Sequence, residues 1–342
     1  MLTLKQVALL RNELKTAQRP LFFYDDDPDG LTSFLLLYKV YREGRGVIVK
    51  SSSKLEKPML GKVEEQKPDK IFVLDVPVIE QEFADGAHVP IFWIDHHQPP
   101  QVKNVQYFNP RVKDPDIYIP TSRMAYQIST RHEDLWIAAV GCFGDYYLPD
   151  FLREFLERYP ALLPKALPLP EILYQTPVGK LVRIFSFLLK GKTTEVYKCI
   201  KILTRIASPD EILQQSTPAG KYLFQRFEQI NQRYEPLIER ARQQATKSKV
   251  LLFHYQEDEW SFTADLANEL AAAYQKKVII IAREKGGEMK CSLRAQFPIL
   301  PALEKALVGI DGFGGGHPNA CGMVIKKPDW ERFLQRFKDE VA

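Results

Sequence analysis

The chain has 342 residues, long enough for two domains with separate cores. Its 47 Lys and Arg against 43 Asp and Glu leave a formal charge of +4, which permits a polyanionic partner but lacks the strong basic excess of a dedicated nucleic-acid-binding domain. Cys142, Cys199, Cys291 and Cys321 stand without any CxxC and fit reduced thiols of a cytoplasmic protein better than disulfides or zinc ligands. The first twenty residues lack the apolar core of a signal peptide, and no uncharged run reaches the ~18 apolar residues of a membrane span.

In chain order, residues 4–14 have helical apolar spacing and PLFFY (20–24) is a buried strand. GLTSFLLLYKVYRE (30–43) is a helix. VIVKSS (47–52), KIFVLDVP (70–77) and VPIFWIDHH (89–97) are further strands, the last two ending in acidic or imidazole side chains. Apolar strands alternating with helices predict a mostly parallel sheet covered on both faces, with its site beyond the carboxyl ends of the strands. Asp25, Asp75 and Asp95 all stand at that end. After LWIAAVGCFGDYYLPDF (135–151) the chain turns helical, with Pro clusters and a long charged helix over 221–249 that contains Pro236. A second α/β unit follows: strand VLLFHY, helix FTADLANELAAAYQ, strands KVIIIARE and EMKCSLRAQ, a Gly-rich loop in GFGGGHPNACGMVI leading to a strand, and a terminal helix. The expected boundaries are 1–165, a helical spacer over 166–248, and 249–342.

Collected at strand ends and a Gly-rich bend are Asp25, Asp27, Asp29, Asp75, Asp95, His96, His97 and Asp145. Clustered carboxylates repel and are costly to desolvate unless a cation compensates. Carboxylates with one or two imidazoles suit Mn2+, Mg2+ or Zn2+. So many donors suggest two ions sharing a carboxylate, roughly 3.5–4 Å apart, an arrangement suited to phosphoester hydrolysis. Taken singly, each motif has an ordinary explanation. DDDPDG can be a solvated turn, DHH a helix cap with surface imidazoles, and Asp75 the cap of a following helix. Their order behind apolar segments is what favours a shared site.

DDDPDGLTS, VLDVP, IDHH and AVGCFGD together resemble the four motifs of the DHH phosphoesterases, and GGGHPNACG (314–322) resembles the signature of the DHHA1 domain. The resemblance covers roughly residues 20–150 and 250–342. It implies a DHH domain joined by helices to a smaller DHHA1 domain, with the active site in the cleft between them. It also implies that Asp25, Asp27, Asp29, Asp75, His96 and Asp145 ligate two divalent ions, Mn2+ first and Mg2+ second, with Asp75 as the bridge. His97 would donate to the scissile phosphate. Asp95 would orient His96 or its loop, and Asp26 would be a solvated side chain. In the second domain Gly314, Gly315 and Gly316 would offer backbone N–H groups to an anionic substrate, aided by His317 and Asn319, while Ser292 and Arg294 match a Ser-x-Arg pair able to grip phosphate. His88, His132 and His254 have no such company.

DVP departs from the small-residue pattern of most members, and Phe23 replaces a histidine of the oligoribonuclease-like ones. These departures favour RecJ-type nucleases, nearest to compact archaeal and Hef-associated forms. The implied function is a Mn2+-dependent exonuclease on single-stranded DNA or RNA, tilted toward 3′→5′, with Arg111, Lys113, Arg123 and Arg294 as backbone contacts. The alternatives are a phosphodiesterase on di- to tetranucleotides or 3′-phosphoadenosine phosphate, and a catalytically dead scaffold. The expected partner is single-stranded nucleic acid, with a replication or repair helicase or another protein as a further candidate.

Overall fold

The computed structural model describes residues 1–50, 54–256 and 260–341. The last two residues of VIVKSS therefore lie outside the described residues. The chain divides into two compact units, Met1–Arg226 and Phe227–Ala342, and the boundary falls within the long helix Pro218–Gln243 that carries Pro236.

The first unit is built on a five-stranded parallel sheet of β1 (Pro20–Asp25), β2 (Arg45–Val49), β3 (Lys70–Leu74), β4 (Ile91–Ile94) and β5 (Gln106–Phe108), in spatial order β2-β1-β3-β4-β5. Leu21, Phe22, Phe23, Ile71, Phe72, Val73 and Ile91 to Ile94 are all essentially inaccessible, as the near-continuous apolar runs predict for a sheet covered on both faces. Register places the site. Tyr24 pairs with Leu74, Leu74 with Ile94 and Ile94 with Phe108, so the next residues, Asp25, Asp75, Asp95 and Asn109, form one row beyond the carboxyl ends. Phe23 is packed edge-on against Phe83 in the core.

Helix α1 (Leu4–Thr16) begins with a Thr3–Gln6 capping box. Helix α2 (Pro28–Tyr41) starts on Asp27, whose carboxylate accepts the Gly30 N–H at 2.8 Å, with Pro28 in the first turn. It is buried on nearly every side because α3 (Thr121–Ser129) and α4 (Leu135–Gly144) lie against it. The predicted Gly-rich bend before Asp145 is instead α4: Gly141 and Gly144 permit close approach rather than a turn. A Cβ at Gly141 would meet Thr32 Oγ1 and, at 2.5 Å, Ser122 Oγ. Gly141→Ala must push α4 away from α2 and α3, an overpacking cost of about 1–3 kcal/mol. The expected result is a clearly lowered urea midpoint, and an unchanged midpoint would show that the helices have slack.

The second unit carries β6 (Val250–Gln256), β7 (Val278–Lys285), β8 (Glu288–Arg294), β9 (Gly312–His317) and β10 (Ala320–Lys326), in order β9-β10-β8-β7-β6. Only β6 and β7 pair in parallel. One face buries Val278, Ile280, Cys291 and Leu293 against helices Leu300–Leu307 and Trp330–Val341. Gly314 to Gly316 form part of edge strand β9, not the expected loop, because they pair antiparallel with the readily recognised strand β10. Gly316 holds φ at 135°, which a side chain would strain.

Candidate metal centre

Asp29, on the first turn of α2, accepts the backbone N–H groups of Thr121 at 2.7 Å and Ser122 at 2.9 Å. It thereby caps α3, whose own N-cap residue, Pro120, supplies no side-chain bond. Asp75 sits at the end of β3 with φ of 63° and accepts the Thr121 hydroxyl at 3.1 Å. It also lies near enough to Asp27 to influence that carboxyl's ionisation. His96 joins the two sides: Nε2 is 3.2 Å from Asp75 Oδ1 and Nδ1 is 3.5 Å from Asp145 Oδ2. Asp145 ends α4 and accepts the Tyr118 hydroxyl at 2.7 Å. Tyr118 also meets the His96 ring edge-on at 5.1 Å.

The electrostatics follow from the crowding. Burial raises the pKa values of Asp27 and Asp29. For Asp75 and Asp145 burial again comes first, and repulsion from neighbouring aspartates, Asp29 foremost, pushes both carboxyls well above their usual range. Burial holds His96 down at about 4, so its ring is neutral and its contact with Asp75 is not an ion pair. Burial also opposes charge on His97, but the hydrogen bond to Asp95 outweighs it, with help from the charges of Asp95, Asp27 and Asp25, and raises its pKa.

The donors fit divalent ions. One ligand atom each from Asp75, His96 and His97, and one each from Asp29, His96 and Asp145, lie within 4.8 Å of one another. His96 is common to both triads. Its Nδ1 is a buried nitrogen with no hydrogen-bond partner among the described residues, aimed at a carboxylate. That combination of carboxylate oxygens and imidazole nitrogen suits Mn2+ or Mg2+. Asp25 stands on the neighbouring strand and adds its charge to the field at Asp75 and His97.

Some residues take other places than expected. Asp95 holds the loop, as one of its two expected roles, but through His97 rather than His96: its Oδ1 is 2.7 Å from His97 Nδ1, and its Oδ2 accepts the His97 N–H and the Tyr107 hydroxyl. Asn109 braces the same group by donating to the His97 carbonyl at 2.8 Å. Asp26 is not solvated. It is half-buried, 4.0 Å from Lys50, and burial lifts its pKa to about 6. Arg123 is not open to a phosphate, being forked onto Asp150 at 2.5 and 2.8 Å. Arg111 stays at the site through its bond to the His96 carbonyl, whereas Lys113 is exposed. The orienting roles of Tyr107, Asn109, Tyr118 and Thr121 had no signal in the sequence, since each acts through the position that folding gives it.

In the second unit, register puts Ser292, Arg294, Gly315 and His317 on one sheet face, with Gly314 and Gly316 on the alternate one. Arg294 donates to Asn268 Oδ1 at 2.6 Å and to the Cys321 carbonyl at 3.2 Å, which fixes its guanidinium. The Asn319 carbonyl accepts the Ala295 N–H, tying the β9–β10 turn to the end of β8. Lys290, Arg283 and Phe313 share the Ser292 face by register, and Phe313 is 73% exposed. Sequence reasoning missed all three.

Among known proteins, the model of the DHH family N-terminal domain matches residues 21–141 and that of the DHHA1 domain matches residues 249–342. No curated protein sequence matches the chain. The solved structure of RecJ with Mn2+ from Thermus thermophilus superposes with a TM-score of 0.71 at 19% identity, over 98% of this chain and 54% of that one. The present chain thus spans about half of that protein. An exonuclease RecJ bound to manganese gives a TM-score of 0.63 at 17% identity, over 99% of this chain and 94% of the other. CDC45 from Entamoeba histolytica gives 0.55 at 10% identity, over 98% of each chain. With both domain models matched in order along one chain, and with a sheet in each unit, the protein belongs to the DHH/DHHA1 family and has a RecJ-like fold.

Proposed function

We propose that the protein is a two-metal phosphodiesterase, acting as a Mn2+-dependent exonuclease that removes mononucleotides from single-stranded DNA or RNA in the 3′→5′ direction. The observation that carries this reading is the completeness of the donor set: Asp25, Asp27, Asp29, Asp75, His96 and Asp145 all retain ligand-capable side chains, and Asp29, His96 and Asp145 already bring ligand atoms within 4.8 Å of one another. A dead scaffold has no need to keep such a costly cluster of buried carboxylates. The fold likeness to two RecJ proteins solved with Mn2+ supports the choice of ion.

When bound, a pair of such ions activates water and polarises a phosphoryl oxygen. The chain's own residues do the rest. Asp29, anchored by two backbone N–H groups, and Asp75, anchored by Thr121, present their oxygens in fixed positions. Asp95, Tyr107 and Asn109 hold the His97 ring by its Nδ1 side and its backbone. Held in this way, His97 would turn its Nε2 toward the phosphoryl group and, with a proton there, donate a hydrogen bond to the developing negative charge. On the second unit, Ser292, Arg294 and His317 would contact phosphates, Lys290 and Arg283 would extend the track, and Phe313 offers a face for base stacking.

Two single-stranded oligonucleotides, labelled at the 5′ and the 3′ end, incubated with Mn2+ and with EDTA, test this. The 5′ label should give a descending ladder while the 3′ label leaves at once as a mononucleotide. The mirror pattern reverses the polarity. Cleavage confined to fragments of a few nucleotides would replace the strand reading with the small-substrate one, and no cleavage at any length would leave a scaffold.

A further inference from the structure

About ten residues along α2 from Asp29, some 15 Å at the helical rise, lies a second concentration of charge with the opposite sign. A cavity of about 500 Å³ is lined by Tyr38, Lys39, Arg42, Arg131, Asp134 and Arg205, with Glu133 and Thr204 at its wall. Lys39 is only 8% exposed, donates to the Ile206 carbonyl at 2.6 Å and stands 3.6 Å from Asp134. Arg131 is committed to Asp134 at 2.6 Å and to Glu133 at 2.9 Å. Those contacts match Lys39 and Arg131 against the two carboxylates. Arg42 and Arg205 remain, and neither guanidinium has an acidic partner or a carbonyl acceptor among the described residues. Arg42 is not placed there to cap α2: its backbone N–H meets Tyr38, but its side chain bonds no helix carbonyl. The two unmatched charges equal those of a phosphate monoester near neutral pH.

An adjoining groove of about 590 Å³ shares Tyr38 and Thr204 with this cavity and adds Phe34, Met59, Tyr197 and Ile200. It sets Phe34, Tyr38 and Tyr197 beside Arg45, Lys62, Glu65 and Lys201, and it follows β2, the edge strand of the sheet. Tyr197 is fixed there by its hydroxyl, which accepts the Ile48 N–H at 3.2 Å.

We infer that these two cavities form a binding site for a nucleoside monophosphate, separate from the metal centre, with the phosphate between Arg42 and Arg205 and the nucleoside against Tyr38 and Tyr197. Guanidinium forks suit phosphate oxygens, and aromatic faces suit a base of any identity. The volume admits one nucleotide and not a folded strand.

Photolysis of 8-azido-AMP with the full chain in EDTA tests the site and locates it. Label is expected on peptides carrying Tyr38 or Tyr197, with protection by AMP and much weaker protection by adenosine or inorganic phosphate at the same concentration. The exposed pair Arg42→Gln and Arg205→Gln should lower that label at least about tenfold, the loss expected for one charge-assisted contact. The circular dichroism spectrum and melting temperature of the same variant should be unchanged, which reports intact folding. Asp75→Asn should leave the Tyr38 and Tyr197 label intact, so failure of the hydrolase reading and of this one are distinguishable. Label insensitive to the arginine pair, or absent from these peptides, overturns the proposal. Protection by inorganic phosphate alone would reduce the site to a phosphate pocket. Protection only by a 5′-phosphorylated oligonucleotide would assign the surface to a strand end; either result refutes the nucleotide assignment.

Discussion

Asp75→Asn should abolish Mn2+-dependent hydrolysis by at least ~1,000-fold, equivalent to about 4 kcal/mol, while raising the melting temperature of the metal-free protein. Both effects come from the same carboxylate. Asp75 is buried and surrounded by Asp27, Asp29, Asp145 and Asp25, whose charges all oppose its ionisation. In the metal-free state Asp75 folds only at the cost of holding a proton near neutral pH, a cost that neutral Asn does not carry, whereas removing a ligand oxygen weakens both the centre and its hold on the phosphoryl group. Asn is the right probe because it tolerates the left-handed backbone at this position, where φ is 63°, and keeps an acceptor for Thr121. Activity and stability should therefore move in opposite directions. A variant that loses both would mean that Asp75 is a structural residue, and one that keeps activity would remove it from the centre.

The second large effect is on pH dependence. In the metal-free protein Asp27, Asp29, Asp75 and Asp145 have raised pKa values, and Asp26 titrates at about 6. A carboxyl whose folded pKa lies above its unfolded value of ~3.9 contributes stability that is complete below the unfolded value and lost as pH rises through the folded one. His96, held down at about 4, acts in the opposite sense up to ~6.5, so the metal-free melting temperature should fall most clearly between about pH 6.5 and 8. Below about pH 4 the sign reverses, because Asp150, bonded to Arg123, has its pKa held low, and Asp69, despite its partial burial, is held low by the N–H groups of Gln18 and Arg19. Mn2+ must displace the protons these groups hold, so its stabilising effect should be larger at about pH 8 than at about pH 5.5, with proton release on binding. Calorimetry in two buffers of different ionisation enthalpy measures that release. A metal-free protein more stable at the higher pH than at the lower, with no protons released, would contradict the account.

Much of this was readable from the chain because the signals were local. PLFFY, KIFVL and IFWI are largely apolar runs that end on Asp25, Asp75 and Asp95, and a parallel sheet of such strands must line up their ends. The strand of Gly314 to Gly316 was not readable, since glycine gives no alternation and only pairing with β10 defines it. Helix α4 was obscured in the same way by glycines whose purpose, close packing on α2, depends on distant residues. The partner of a long side chain was equally hidden. Arg123 looked available until Asp150, far along the chain, occupied both edges of its guanidinium, and Asp95 turned to His97 because Tyr107 and Asn109 fix it from the neighbouring strand and its end. What the sequence could not carry was the second-unit face, where Arg283, Lys290 and Phe313 meet Ser292 only through strand register.

The central claim is the paired metal centre, and counting ions tests it most directly. Mn2+ titrated into the EDTA-stripped chain near neutral pH, followed by electron paramagnetic resonance, should reach two ions per chain with a spin-coupled spectrum, as expected for ions about 3.5–4 Å apart. Asp75→Asn should lose the coupled signal. A single uncoupled ion in the unaltered chain, or a coupled signal that survives Asp75→Asn, would contradict it.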